Sequence, residues 1–176
     1  ESGFTTHEAY EGEDMEVELS LIPTEATVTC AEVRERLATT ASLRPFFQPK
    51  SVAIIGVSRN PDKIGYRLLD AITAGQFRGA VYPVTPKATD IKEIRTYPSV
   101  QDLREPVDLA IIAVPRDSVS SIIDECAAKG IRACVIITAG FAEVGPAGAA
   151  LQQQLVTTVR QYGMRMIGPN CFGILN

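Results

Sequence analysis

The chain has 176 residues, enough for one domain with an appendage but not for two full domains. A hydrophobic content of 45% can fill a core and excludes wholesale disorder, and no apolar run approaches the roughly 18 residues of a membrane span. The net charge of −4 is unevenly spread: residues 1–25 hold eight acids and no Lys or Arg, while the remainder carries 17 bases against 13 acids. That mildly basic body suits an anionic small ligand and is too weakly charged for nucleic acid.

No basic-then-apolar stretch follows Glu1, so no secretory signal is legible. Opening on a residue other than Met predicts a piece cut from a longer protein. Cys30, Cys126, Cys134 and Cys171 form no C-x-x-C pair, which predicts a reduced, cytoplasmic setting and no structural metal.

In chain order, residues 1–22 read as a hairpin turning at Glu11-Gly12-Glu13-Asp14, because Met15-Glu16-Val17-Glu18-Leu19-Ser20-Leu21 alternates apolar and polar. Such a hairpin needs a sheet to join, which predicts either disorder or edge pairing with a neighbour. Residues 23–50 read as a helical linker. Thr29-Cys30-Ala31-Glu32 has the form of a capping box, predicting a helix over about 30–39. Leu43, Phe46 and Phe47 would pin the linker's end against the body.

From Ser51 onward the pattern changes. Val52-Ala53-Ile54-Ile55-Gly56-Val57 is a continuous apolar run, as in a parallel strand buried on both faces. Ile64, Leu68, Leu69 and Ile72 follow at helical spacing, and Gly75 ends that helix. Strands are predicted over 80–84, 107–114, 133–138 and 164–167, and helices over 117–129 and 146–162. A loop fills 85–98, with room for a short edge strand near Tyr97. The alternation predicts an α/β fold: a Rossmann-like, doubly wound parallel sheet over 51–176, preceded by an N-terminal extension. Its ligand crevice lies at the carboxyl ends of the strands.

The first strand-to-helix turn reads Gly56-Val57-Ser58-Arg59-Asn60-Pro61-Asp62-Lys63-Ile64-Gly65. It lacks the Gly-x-Gly-x-x-Gly of a dinucleotide fold, since Ser58 stands where the second glycine would let backbone touch a pyrophosphate. A hydroxyl, an arginine and an amide at a helix start still form an anion cradle. The same residues also fit an ordinary helix N-terminus with a solvated arginine. Gly65 would let the helix pack close to its strand. At the end of the second strand, Val84-Thr85-Pro86-Lys87 places a base where NAD enzymes need an acid for the ribose hydroxyls. A ligand with a phosphate on its ribose is thereby favoured, either NADP or coenzyme A. The other strand ends carry Val114-Pro115-Arg116-Asp117, Thr138-Ala139-Gly140-Phe141-Ala142-Glu143 and Gly168-Pro169-Asn170-Cys171-Phe172-Gly173. Nothing near Cys171 in sequence lowers its pKa, so it reads as a partly buried free thiol. Cys126 and Cys134 read as core.

Four of these stretches, Ser51 through Ser58, Val84 through Lys87, Ile137-Thr138-Ala139-Gly140-Phe141 and Ile167 through Gly173, resemble the CoA-binding domain of NDP-forming acyl-CoA synthetases. They are similar in the same places to the alpha subunit of succinyl-CoA synthetase. The resemblance covers residues 43–176 and implies coenzyme A or an acyl-CoA thioester as ligand. It implies that Ser58, Arg59 and Asn60 hold CoA phosphates at the helix start, that Lys87 pairs with a CoA phosphate, and that Gly56, Lys63 and Pro86 are also among the cofactor-binding residues. It also implies that Ile137, Thr138 and Ala139 line the adenosine or pantetheine path, that Pro115 is a further cofactor-binding residue, and that Asn170 and Cys171 lie near the thiol end. Ala139 departs from the family, which carries an acid there in succinyl-CoA synthetases. The longer first turn leaves the Lys63 contact open. The family's chemistry uses a histidine of a later domain. The single histidine here, His7, lies in the wrong segment, so this piece would bind and position the ligand and leave catalysis to the remaining domains of its parent.

Gly3-Phe4, the acidic turn and Met15 through Leu21 resemble the last two strands of a GNAT acetyltransferase. That resemblance implies a parent joining an acetyltransferase to an acyl-CoA-synthetase-like region. An NADP-binding reductase or redox-sensing module is the alternative, opposed by the missing second glycine and the Pro-Asn-Cys turn. A domain that has lost its ligand and serves assembly is a third reading. Membrane and nucleic-acid partners are not expected, and a homo-oligomer is left open.

Overall fold

The computed structural model describes residues 6–11, 14–19, 25–87 and 89–173. The chain divides into two compact units, residues 1–41 and 42–176.

In the first unit, β1 (Thr6–Glu11) pairs antiparallel with β2 (Asp14–Leu19), from Thr6↔Leu19 to Glu11↔Asp14. The expected hairpin is therefore formed. Gly3 and Phe4 before it, its turn residues Gly12 and Glu13, and Ser20 and Leu21 at its end, lie outside the described residues. Helix α1 (Glu25–Phe47) is far longer than the capping-box pattern predicts. Thr29 caps nothing: it lies inside the helix, and its hydroxyl donates to the Glu25 carbonyl at 2.9 Å. Serine and threonine make this back-bond to the preceding turn whenever they sit mid-helix. The end of α1 carries Phe46, which is 6% exposed in the core of the second unit.

The second unit is built on β3 (Ser51–Ile55), α2 (Ile64–Ala74), β4 (Ala80–Val84), a two-stranded hairpin of β5 (Asp90–Ile91) and β6 (Ile94–Arg95), β7 (Leu109–Ile112), α3 (Val119–Ala128), β8 (Ala133–Ile136), α4 (Pro146–Gln161) and β9 (Arg165–Ile167). Five strands form one parallel sheet in the order β4-β3-β7-β8-β9. The chain runs outward from β3 to β4, then returns past β3 to β7. The switch point of the doubly wound fold therefore lies between the ends of β3 and β7.

Alternation along the buried strands divides the core into two. Ala53, Ile55, Ala110, Ile112, Cys134 and Ile136 face Val119, Ile123 and Cys126 of α3 and Leu155 and Val159 of α4. Val52, Ile54, Leu109, Ala133 and Val135 face Leu69 of α2 and Phe46 of α1. Helices on both faces explain why β3 is buried along its whole length. Cys126 and Cys134 are core residues, as expected, and burial pushes both thiols up to about 12.

The β5–β6 hairpin was not legible in the sequence. Its turn residues, Lys92 and Glu93, adopt φ of 53° and 62°. Such turns normally carry Asn or Gly, so the pattern gave no turn signal. The edge pairing expected near Tyr97 is a single parallel bridge to Val84. At the opposite end of the sheet, Asp108 ties the linker to the body: its Oδ2 accepts the Lys50 and Ser51 amides at 2.7 and 3.2 Å.

Helix α2 meets β3 through glycine. A Cβ on Gly65 would lie 2.3 Å from the Gly56 carbonyl oxygen, so any side chain there forces backbone apart. Gly65→Ala is expected to cost about 1–3 kcal/mol of stability, the usual penalty of overpacking. Urea unfolding should show a lowered midpoint at unchanged slope; an unchanged midpoint would mean that α2 can retreat without loss.

Candidate functional site

Strand β3 ends because Gly56 turns the chain at φ +95°, where a Cβ would come within 2.4 Å of the Ala113 carbonyl oxygen. The Gly56 amide then donates to Val84 O at 3.0 Å, which holds the first turn against the end of β4. Within that turn the polar side chains serve the loop itself. Ser58 Oγ accepts the Asn60 amide at 3.2 Å, and Asn60 Oδ1 accepts the Asp62 amide at 2.9 Å. Lys63 stands at the N-cap of α2 with extended backbone; no side chain caps the helix and no acid occupies its first turn. The positive end of the helix dipole therefore meets no carboxylate from the helix's own first turn.

Arg59 is not simply solvated. Its Nη2 lies 3.1 Å from Asp90 Oδ1, and its Nε donates to the Asp90 carbonyl at 3.2 Å. Nothing in the local sequence signals this partner, because Asp90 comes from the β5–β6 hairpin 31 residues away. After β4, the Thr85 amide donates to Tyr97 O at 2.8 Å and the Lys87 amide to Thr85 Oγ1 at 3.3 Å. The Lys87 side chain forms no ion pair among the described residues. An open cleft of about 360 Å³ is lined by Arg59, Thr85, Pro86, Lys87, Thr89 and Pro98. Three residues singled out in the sequence, Arg59, Pro86 and Lys87, thus share one cleft. Thr85, part of the same Val84–Lys87 stretch, lines it too, and Thr89 and Pro98 join them through the fold.

The remaining candidates sit at the ends of β7, β8 and β9 and are laced together by hydrogen bonds. Thr138 Oγ1 donates to the Val114 carbonyl at 2.7 Å, and the Asn170 amide donates to the Thr138 carbonyl at 3.0 Å. Ile137 continues the β8 ladder by donating to Ile112 O at 3.0 Å. Ala139 and Pro115 are exposed at the same rim. Gly168 (φ +93°) brings the last turn so close that a Cβ would lie 2.4 Å from Ile136 O. The partly buried Cys171 thiol donates to that same carbonyl at 3.4 Å. Pro115, Ile137, Thr138, Ala139, Asn170 and Cys171 therefore form a rim separate from the cleft lining. The hydroxyl hydrogen of Thr138 is committed to the backbone, which leaves its oxygen only as an acceptor.

Arg116 and Glu143, absent from the sequence-based candidates, brace this rim. Arg116 Nη1 donates to Gly140 O at 3.3 Å, and the Gly140 amide donates to the Glu143 carboxylate. That bond holds the Glu143 carboxyl below its ordinary value. A carboxylate depressed in the folded state adds stability that is present above its unfolded pKa. That stability is lost as pH falls through the folded one. Glu143→Gln should therefore show a Tm deficit at pH 7 that closes in strong acid; a deficit independent of pH would contradict the assignment.

The fold is a doubly wound parallel α/β sheet, and the cleft holding Arg59 and Lys87 lies at the carboxyl ends of β3 and β4. Comparison with known proteins specifies the class: residues 50–176 match the CoA-binding domain family, and the chain belongs to it. It is 39% identical over 159 residues to an ADP-forming acetate–CoA ligase of Archaeoglobus fulgidus, covering 90% of this chain and 24% of the ligase. It is 42% identical over 138 residues to the alpha subunit of an ADP-forming acetate–CoA ligase of Pyrococcus furiosus, covering 76% of this chain and 30% of the subunit. Among solved structures, a dinucleotide-forming acetyl-coenzyme A synthetase of Candidatus Korarchaeum cryptofilum, in complex with phosphate and ADP, superposes with a TM-score of 0.72 at 41% identity. It covers 76% of this chain and 28% of that one. A protein of Pyrococcus horikoshii OT3 gives 0.73 at 43% identity, covering 76% and 31%. The chain thus spans between a quarter and a third of the length of these relatives. No helix among the described residues is long and apolar enough to cross a membrane.

Proposed function

We propose that this chain binds coenzyme A or an acyl-CoA thioester at the carboxyl ends of its strands, as the CoA-binding part of a parent related to ADP-forming acyl-CoA synthetases. The observation that carries the site assignment is the cleft in which Lys87 and Arg59 stand together beside the start of α2. CoA carries a pyrophosphate and a ribose phosphate, and charge-assisted bonds to such oxygens are among the strongest a surface can make. Lys87, which has no ion-pair partner among the described residues, takes a phosphate directly, and Arg59 and the uncapped end of α2 add to the same field. Gly56 and Pro86 shape the cleft walls. Ser58 and Asn60 act by fixing the loop, and Lys63 contributes charge at the helix start. The pantetheine arm runs along the rim of Pro115, Ile137, Thr138 and Ala139 toward Asn170 and Cys171. The piece binds and positions the thioester, and the remaining domains of the parent act on it.

For that parent, an ADP-forming ligase is the reading the relatives support. A GNAT-fused acyltransferase rests on the β1–β2 hairpin alone. The NADP alternative shares the basic residue after β4, so ligand choice distinguishes it.

Calorimetric titration with CoA, 3′-dephospho-CoA, acetyl-CoA and NADP tests the reading. CoA should bind, more weakly without its 3′-phosphate, and NADP should not. Lys87→Ala should weaken CoA by about ten- to a hundredfold, the loss of one charge-assisted contact of about 1.5–3 kcal/mol. Binding of NADP alone, or CoA affinity indifferent to Lys87→Ala, would overturn it.

A further inference from the structure

Arg59 enters the cleft already spoken for. Asp90 takes two of its donors, Nη2 through the carboxylate at 3.1 Å and Nε through the backbone carbonyl at 3.2 Å. Both side chains of this pair are 62% exposed, so their mutual attraction is screened and weak. The two partners are not equally free to move. Asp90 belongs to the β5–β6 hairpin, whose Ile91 is 2% exposed in the core beneath α2. The hairpin tip is tied to α2 twice: Lys92 pairs with Asp70, and its ammonium lies 5.7 Å from the centre of the Tyr66 ring. The ladder continues with the Thr96 amide donating to Thr89 O at 3.0 Å, and Thr89 Oγ1 donates to Asp90 Oδ2 at 3.3 Å. Asp90 thus stands on a tethered hairpin next to Thr89, which lines the cleft, whereas Arg59 is a long side chain on an exposed loop.

We infer that Asp90 is the resting counter-ion of Arg59 and competes with the ligand's phosphate for it, so that occupying the cleft transfers the guanidinium from Asp90 to the phosphate. The inference rests on the CoA reading of the cleft and concerns how tightly and how selectively that cleft binds. A phosphate monoester carries more charge than the carboxylate and offers three oxygens, so it wins the exchange. A neutral or singly charged group at the same place does not displace Asp90 and gains nothing from Arg59. Asp90 therefore lowers affinity for every ligand and sharpens the preference for the most highly charged one. Lys87 has no such competitor among the described residues and provides the constant part of the attraction.

The test is a double-mutant cycle by calorimetry at low ionic strength, on the full chain, with Asp90→Asn, Arg59→Ala and the double variant. Asparagine keeps the size of the side chain and removes the charge, and loss of so exposed an ion pair should leave the urea midpoint unchanged. CoA should bind Asp90→Asn about three- to tenfold more tightly than wild type, the scale of one exposed charge–charge term. The gain should vanish when Arg59 is Ala. Unchanged or weaker binding by Asp90→Asn overturns the inference. An equal gain without Arg59 also overturns it, since that outcome reduces Asp90 to a general repulsive charge. The same cycle with inorganic pyrophosphate separates the two levels. A chain that ignores CoA but binds pyrophosphate more tightly as Asp90→Asn loses the CoA reading and keeps the exchange. A chain that binds CoA with no change at Asp90 keeps the reading and loses the exchange.

Discussion

Two glycines allow helix α2 to begin in contact with the end of β3. Gly56 leaves the strand at φ +95° against the Ala113 carbonyl, and Gly65 lets the first turn of the helix close onto Gly56 itself. Much of the site's placement follows from that contact. It fixes the first turn over the switch point, sets an uncapped helix start beside the strand ends, and brings Arg59 to the cleft that Lys87 enters from the next strand. The fingerprint of a dinucleotide fold uses its third glycine in the same way. This chain keeps that packing glycine and drops the one that would admit a pyrophosphate against backbone. In the proposed reading, phosphate binding thereby falls mainly on side chains.

The candidate site has two parts with different mechanical character. The rim of β7, β8 and β9 is cross-braced: Thr138 to Val114, Asn170 to Thr138, Arg116 to Gly140 and Cys171 to Ile136. Hydrogen bonds of this kind hold a surface ready before a ligand arrives, which lowers the ordering cost of binding. The cleft of β3 and β4 instead presents two long cations, Lys87 without an ion pair among the described residues and Arg59 paired with Asp90. A braced rim for an uncharged arm and movable cations for phosphates match the two chemistries of CoA.

The parallel sheet was legible because its strands are buried on both faces and must be apolar throughout, as Val52 through Ile55 are. The length of α1 was not. Thr29 and Glu32 have the residues of a capping box, yet a threonine hydroxyl bonds equally well to the preceding turn, and only the surrounding chain decides which. The β5–β6 hairpin escaped because its turn is made by Lys92 and Glu93, residues that adopt positive φ only when tertiary contacts compel them. Missing the hairpin meant missing Asp90, and with it the resting state of Arg59. Lys87 and Pro86 were readable from their place after the second strand. Ser58 and Asn60 were readable as loop residues, but sequence alone does not tell a hydroxyl or amide turned to a ligand from one spent on its own backbone.

A crystal structure of this chain with CoA bound tests the placement most directly. Phosphate oxygens should lie at hydrogen-bond distance, about 2.7–3.2 Å, from Lys87 Nζ and the Arg59 guanidinium. The pantetheine arm should pass Thr138 and end near Cys171. A ligand seated elsewhere on the sheet, with Lys87 in solvent and Arg59 still on Asp90, would contradict it.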